Sequence, residues 1–148
     1  MNLPADVASV IDAVPDPGVR ADSRAFAALV IDVTGEPAWL GSPKIIGFGR
    51  CHWRYPTGRE GDSAKVGFSP TPRGLTVYLM AGFVGYDDIL DRLGPHKIGK
   101  SCLYLRRLDD VHGDALRALI DRSVRHIDQT VAALGALPRM SDMPPFEA

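Results

Sequence analysis

A chain of 148 residues, 45% hydrophobic and 24% charged, suffices for one domain that buries its own core without disulfides or metal. Seventeen basic and 18 acidic residues leave a formal net charge of -1, which excludes a global field for nucleic acid or an anionic membrane surface; any preference for anions must be local. No apolar run approaches the roughly 18 residues that span a bilayer, and Met1 to Val14 lacks the basic start of a secretory signal. Cys51 and Cys102 stand alone, without CxxC or Cys/His zinc spacing, so two free thiols in a reducing cytoplasm are expected.

In chain order, Val7, Val10, Ile11 and Val14 predict a short amphipathic helix over 6–14. Pro15-Asp16-Pro17-Gly18 reads as a break, followed by a second helix capped by Asp22 or Ser23. Phe26, Leu29, Val30 and Val33 form its stripe and Gly35 its stop. From Lys44 the period changes to two. Lys44–Phe48 predicts a strand, and Cys51–Tyr55 a second strand or its continuation, with Cys51, Trp53 and Tyr55 facing away from His52 and Arg54. Residues 56–62 are turn chemistry. Ala64, Val66 and Phe68 then alternate, and Leu75–Met80 is a strand with Leu75, Val77 and Leu79 inward.

A helix is expected over Tyr86–Leu93 and a strand over Ser101–Leu105. A long final helix follows, capped by Asp109 or Asp110 and ended by Gly135, with Leu116, Leu119, Ile120, Val124, Ile127, Val131 and Leu134 on one stripe. Arg117, Asp121 and Arg125 sit four apart on its outer face and can pair. Residues 1–136 thus make one domain, and 137–148 a proline-containing tail. The class is α+β: a largely antiparallel sheet with helices mainly on one face. The other face would carry His52, Arg54, Lys65, Thr76, Tyr78, Cys102 and Tyr104, and is half polar.

Gly94-Pro95-His96-Lys97-Ile98-Gly99-Lys100-Ser101 fits the phosphate-loop pattern G-x-x-x-x-G-K-[ST]. Its flanks run in the wrong order. A phosphate loop is strand–loop–helix, with a positive helix N-terminus at the phosphate; here a helix precedes and a strand follows. His96, Lys97 and Lys100 remain a compact basic cluster able to contact a small anion. Arg59, in the Gly58–Gly61 turn, is a second candidate anion contact. Cys51 and His52 are strand neighbours on opposite faces, so they cannot form a thiolate–imidazole pair; Cys102 with His52 would need the same sheet face. His112 and His126 lie about 21 Å apart along the final helix, too far to share a metal, and read as capping or solvated.

Several segments together resemble the YdhG-like domain family: Gly47-Phe48, Trp53 through Gly61 with its G-R-E-G, Val66-Gly67-Phe68-Ser69-Pro70, Leu75-Thr76-Val77-Tyr78, Leu93 through Tyr104, and Leu108-Asp109-Asp110-Val111. The likeness covers roughly residues 20–135. It implies a bacterial α+β sandwich of unknown function, one branch of which is described as a frataxin-like iron chaperone. That branch would hold iron on a dense acidic ridge, whereas Asp87-Asp88-Asp91 and Asp109-Asp110-Asp114 are the densest acidic groups here. The residues favour a non-catalytic binding protein without a cofactor, for a small anionic ligand or a protein partner. Its expected contacts are His52, Arg54, Arg59, Tyr78, His96, Lys97, Lys100 and Tyr104. An iron carrier by resemblance, an enzyme using Cys102 or His96, and a homodimer closing the polar face are the alternatives.

Overall fold

A computed structural model describes residues 2–148. The fold is α+β, with six strands forming one antiparallel sheet and a long C-terminal helix packed against it. The helices are α1 (Ala5–Asp12), α2 (Pro17–Thr34), α3 (Asp87–Leu93) and α4 (Gly113–Leu134). The strands are β1 (Ala38–Ser42), β2 (Ile45–Phe48), β3 (Cys51–Arg54), β4 (Glu60–Ser63), β5 (Val66–Thr71), β6 (Gly74–Leu79), β7 (Lys97–Ile98) and β8 (Cys102–Leu105). The sheet order is β1-β2-β5-β6-β8-β7, while β3 and β4 pair only with each other as a ribbon.

Helix α2 begins at the motif that reads as a break. Asp16 Oδ1 accepts from the Gly18 and Val19 N–H groups at 2.7 and 3.0 Å, and Pro17 occupies the first helical position, where its missing N–H costs nothing. Asp22 and Ser23, expected as caps, are instead buried inside the helix. The Asp22 Oδ2 accepts from Leu108 N (3.0 Å) and Arg107 Nε (3.1 Å), tying α2 to the turn after β8. Arg107 lies over the start of α2, so a Cβ on Gly18 would sit 2.8 Å from its Nη1.

His112, rather than Asp109 or Asp110, caps α4, its Nδ1 accepting from Ala115 N at 3.4 Å. The aspartates fall in a separate 3-10 turn, Leu108–Asp110. Gly135 closes α4 in the left-handed conformation (φ 84°). On its outer face Arg125 pairs with Asp121, while Arg117 reaches across to Asp32 on α2.

Between sheet and helices lies one main core in which Phe26, Phe48, Phe68, Val77, Leu79, Leu103, Leu116 and Leu119 are all buried. Phe68 stacks on Phe48 and meets Phe26 edge-on, joining β2, β5 and α2. A smaller cluster of Cys51, Ala81, Ile127 and Leu137 joins the ribbon to the far half of α4. The segment after 136, expected as a tail, packs back on the domain. Leu137 is buried and bonds along β3 through Leu137 N–His52 O and Arg54 N–Leu137 O. An apolar anchor and an open strand edge explain the docking.

Candidate functional site

The register assembles the outer sheet face from β6, β8 and β7. Thr76 lies opposite Tyr104, Tyr78 opposite Cys102, and Lys97 opposite Tyr104. Strand alternation sends Leu75, Val77, Leu79, Leu103 and Leu105 into the core and leaves these partners on the far side. The result is an uncovered patch of Tyr78, Cys102 and Tyr104 with Lys97 at its rim, Tyr104 being 45% exposed. The adjacent Cys102 thiol raises the Tyr104 pKa above the ordinary tyrosine value, so this phenol holds its proton at neutral pH and offers a hydrogen-bond donor.

The strand β7 is a two-residue edge strand that periodicity cannot show. Its backbone pairs with β8, and Gly99 N–H bonds to Cys102 O at 2.8 Å. The phosphate-loop letters therefore form a helix C-terminus, a short strand and a hairpin turn. Part of their backbone N–H array is spent on the sheet instead of turning inward round a phosphate.

The patch runs into a shallow open cleft of about 710 Å³ at the hairpin turn, lined by Phe83, Val84, Asp87, Gly99, Lys100 and Met140 among others. Gly99 joins patch and cleft, since a Cβ there would lie 3.9 Å from Tyr104 Oη. Val84 is 87% exposed at the rim, and Asp87 supplies one negative charge among the lining residues. Among the described residues, Lys97 and Lys100 form no ion pair, and Lys100 lines the cleft. His96 Nδ1 is instead held by its own Gly94 carbonyl at 2.7 Å.

Three of the expected contacts lie elsewhere. His52 and Arg54 sit on the β3–β4 ribbon, and Arg59 in its exposed turn, because β3 leaves the main sheet. His52 is clamped between carboxylates, Nδ1 to Asp62 (2.9 Å) and Nε2 to Glu60 (3.1 Å), with Arg54 Nε 3.7 Å from Glu60. The hydrogen bond that the protonated His52 ring donates to Asp62, reinforced by Glu60, raises the His52 pKa. Lys65 also leaves the polar face: its Nζ bridges Glu36 (2.7 Å), in the loop after α2, and Asp128 (2.8 Å) on α4. Burial alone would lower the Lys65 pKa, but the two carboxylates outweigh it and the net shift is upward.

No histidine–cysteine pair forms among the described residues. The separation of the ribbon removes His52 from Cys102, and no histidine hydrogen-bonds to either cysteine. Cys51 is buried, which pushes its thiol up to about 11, far from a nucleophilic thiolate at neutral pH. No group of three or more His, Cys, Asp and Glu residues is placed to hold a metal ion among the described residues. Asp88 is spent on a bidentate pair with Arg122 at 2.9 and 2.9 Å, which holds its carboxyl below the usual range.

His126 corrects the expectation of a capping or solvated side chain. It is 3% exposed, with Nδ1 3.0 Å from Tyr86 Oη and Nε2 2.6 Å from Pro144 O. The signal missed in the sequence was its place beside the Val124/Ile127 stripe, which an aromatic hydroxyl and a returning carbonyl make habitable for a polar ring.

No family model, curated protein or solved structure matches this chain. No helix among the described residues is long and apolar enough to cross a membrane.

Proposed function

We propose that this chain is a non-catalytic, cytoplasmic binding protein of the YdhG-like kind, holding a small anionic ligand on the outer sheet face. Tyr78 and Tyr104 supply aromatic surface and hydroxyl donors, and Lys97 and Lys100 supply charge. The observation that carries the reading is the pair of lysines without ion-pair partners beside an uncovered tyrosine–cysteine patch. Lys65 and Arg122, by contrast, are neutralised by carboxylates. Small-molecule sites combine apolar and aromatic walls with a few polar groups, and the cleft volume lies inside their roughly 300–1,000 Å³ range. The acidic residue Asp87 narrows the ligand to one whose anionic group sits toward the lysines, away from that carboxylate.

The test is thermal unfolding with inorganic phosphate and with small carboxylates and organophosphates. A binder present at about 100 times its Kd stabilises by about 2.7 kcal/mol. Lys97→Ala/Lys100→Ala should abolish that stabilisation and leave the unliganded midpoint nearly unchanged, because both side chains are exposed. Stabilisation that survives the double substitution would refute the site.

A further inference from the structure

Three segments far apart in the chain enclose the cleft: the loop from Gly82 to Asp87 that follows β6, the hairpin turn at Gly99–Lys100, and the 3-10 turn Met140–Asp142. They meet at Gly82, where a Cβ would lie 2.9 Å from Met140 Sδ and 3.5 Å from Lys100 O; the bare backbone lets Met140 settle over the loop. Gly82 and Gly85 both take left-handed φ, 71° and 85°, and the loop is pinned by Gly82 N–H to Leu79 O (3.0 Å) and Tyr86 N–H to Phe83 O (3.1 Å). Between the two glycines Phe83 joins the core yet still lines the cleft, while Val84 is the most exposed large hydrophobic side chain among the described residues. Phe83, Val84 and Met140 thus form an apolar wall that nothing in the fold covers at Val84.

Opposite charges share this cleft without meeting. Lys100 is the one cation among its lining residues and Asp87 the one carboxylate, and among the described residues neither has an ion-pair partner, in each other or elsewhere. Asp88, the next residue, shows the contrast: Arg122 holds it on both oxygens. A ligand that is only an anion satisfies Lys100 and is repelled by Asp87; one that is only a cation meets the reverse. A ligand bearing both charges satisfies the two together.

Resting on Lys100 as an anion contact, we propose that the cleft takes a small zwitterion with an apolar side chain, the chemistry of an apolar α-amino acid. Its carboxylate meets Lys100, its ammonium meets Asp87, and its side chain covers Val84 against Phe83 and Met140. Charge complementarity sets the orientation and the apolar wall sets the preference among side chains.

Isothermal titration calorimetry of the full chain near neutral pH compares L-leucine with N-acetyl-L-leucine, which lacks the cation, L-leucinamide, which lacks the anion, and glycine, which lacks the side chain. Leucine should bind about tenfold more tightly than each of the other three. Asp87→Asn should cost leucine about that factor without weakening N-acetyl-leucine, and Lys100→Ala should weaken both. No heat from leucine, N-acetyl-leucine binding as tightly as leucine, or an unchanged leucine affinity in Asp87→Asn would overturn the zwitterion. In any of those cases, N-acetyl-leucine or phosphate binding that Lys100→Ala abolishes would leave the anion site standing; no response to any of these anions would remove both. Asp87 is exposed, so its substitution should leave the thermal midpoint in place. If the midpoint falls, the comparison of the four compounds on the unsubstituted chain decides alone.

Discussion

Asp22→Ala isolates one buried contact that fixes how α2 meets the end of the sheet. Asp22 is 8% exposed, and its Oδ2 accepts the Leu108 N–H at 3.0 Å from the turn after β8. Alanine removes the acceptor and leaves that N–H short of a partner. A hydrogen bond to a charged acceptor contributes about 1.5–3 kcal/mol, so a loss of about 2 kcal/mol is expected. Arg107 also reaches Asp22, but its side chain is exposed and water screens the pair, so it receives no weight. For a chain of this size, the loss lowers the midpoint by about 6 °C. Urea unfolding should show the same decrease with an unchanged slope, since no surface is newly exposed. Asp22→Asn keeps a carbonyl acceptor and should cost about half as much. The cost of Asp22→Ala should persist in high salt, because the bond at stake is not an ion pair. A loss below about 0.5 kcal/mol, or an asparagine as damaging as alanine, would show that the Leu108 N–H finds water and that the reasoning fails.

Thiol titration with an aromatic disulfide at mildly alkaline pH should count one reactive cysteine in the native chain and two in denaturant, with Cys102 the fast one. Buried Cys51, pushed up to about 11, stays protonated there; native reaction of Cys51→Ser at less than the rate of Cys102→Ser would reverse the assignment. The His52 clamp has a signed pH dependence. Its folded pKa lies above the unfolded value near 6.5, so the stability it contributes is fully present below about pH 6.5 and is lost as pH rises through the folded pKa. The stability difference between the parent and His52→Gln should therefore shrink from about pH 5 to about pH 9; a difference that grows with pH would mean the imidazole is held neutral.

Fold class, the long helix and the inward–outward alternation of β6 and β8 are written in the sequence. Periodicity is a local property, and Leu75, Val77, Leu103 and Leu105 record which face is dry. Tyr78, Tyr104 and Lys97 belong together for the same reason once their strands pair. What the sequence alone leaves undetermined is which strand pairs with which. Cys51–Arg54 alternates as any sheet strand would, yet it pairs with 60–63 in a separate ribbon, and His52, Arg54 and Arg59 leave the face with it.

Lys65 and Asp22 show the same limit. Their burial rests on carboxylates, a guanidinium and an amide brought from residues 29 to 86 positions away, so no local window contains the partners. The eight letters from Gly94 to Ser101 make the point in reverse: their order of helix then strand was legible and excluded a phosphate loop, but the edge strand at Lys97–Ile98 exists only because β8 offers a free edge. His126 became a buried donor through Tyr86 and Pro144, 40 residues before it and 18 after. Local chemistry chose the elements; long-range pairing chose which side chains share a surface.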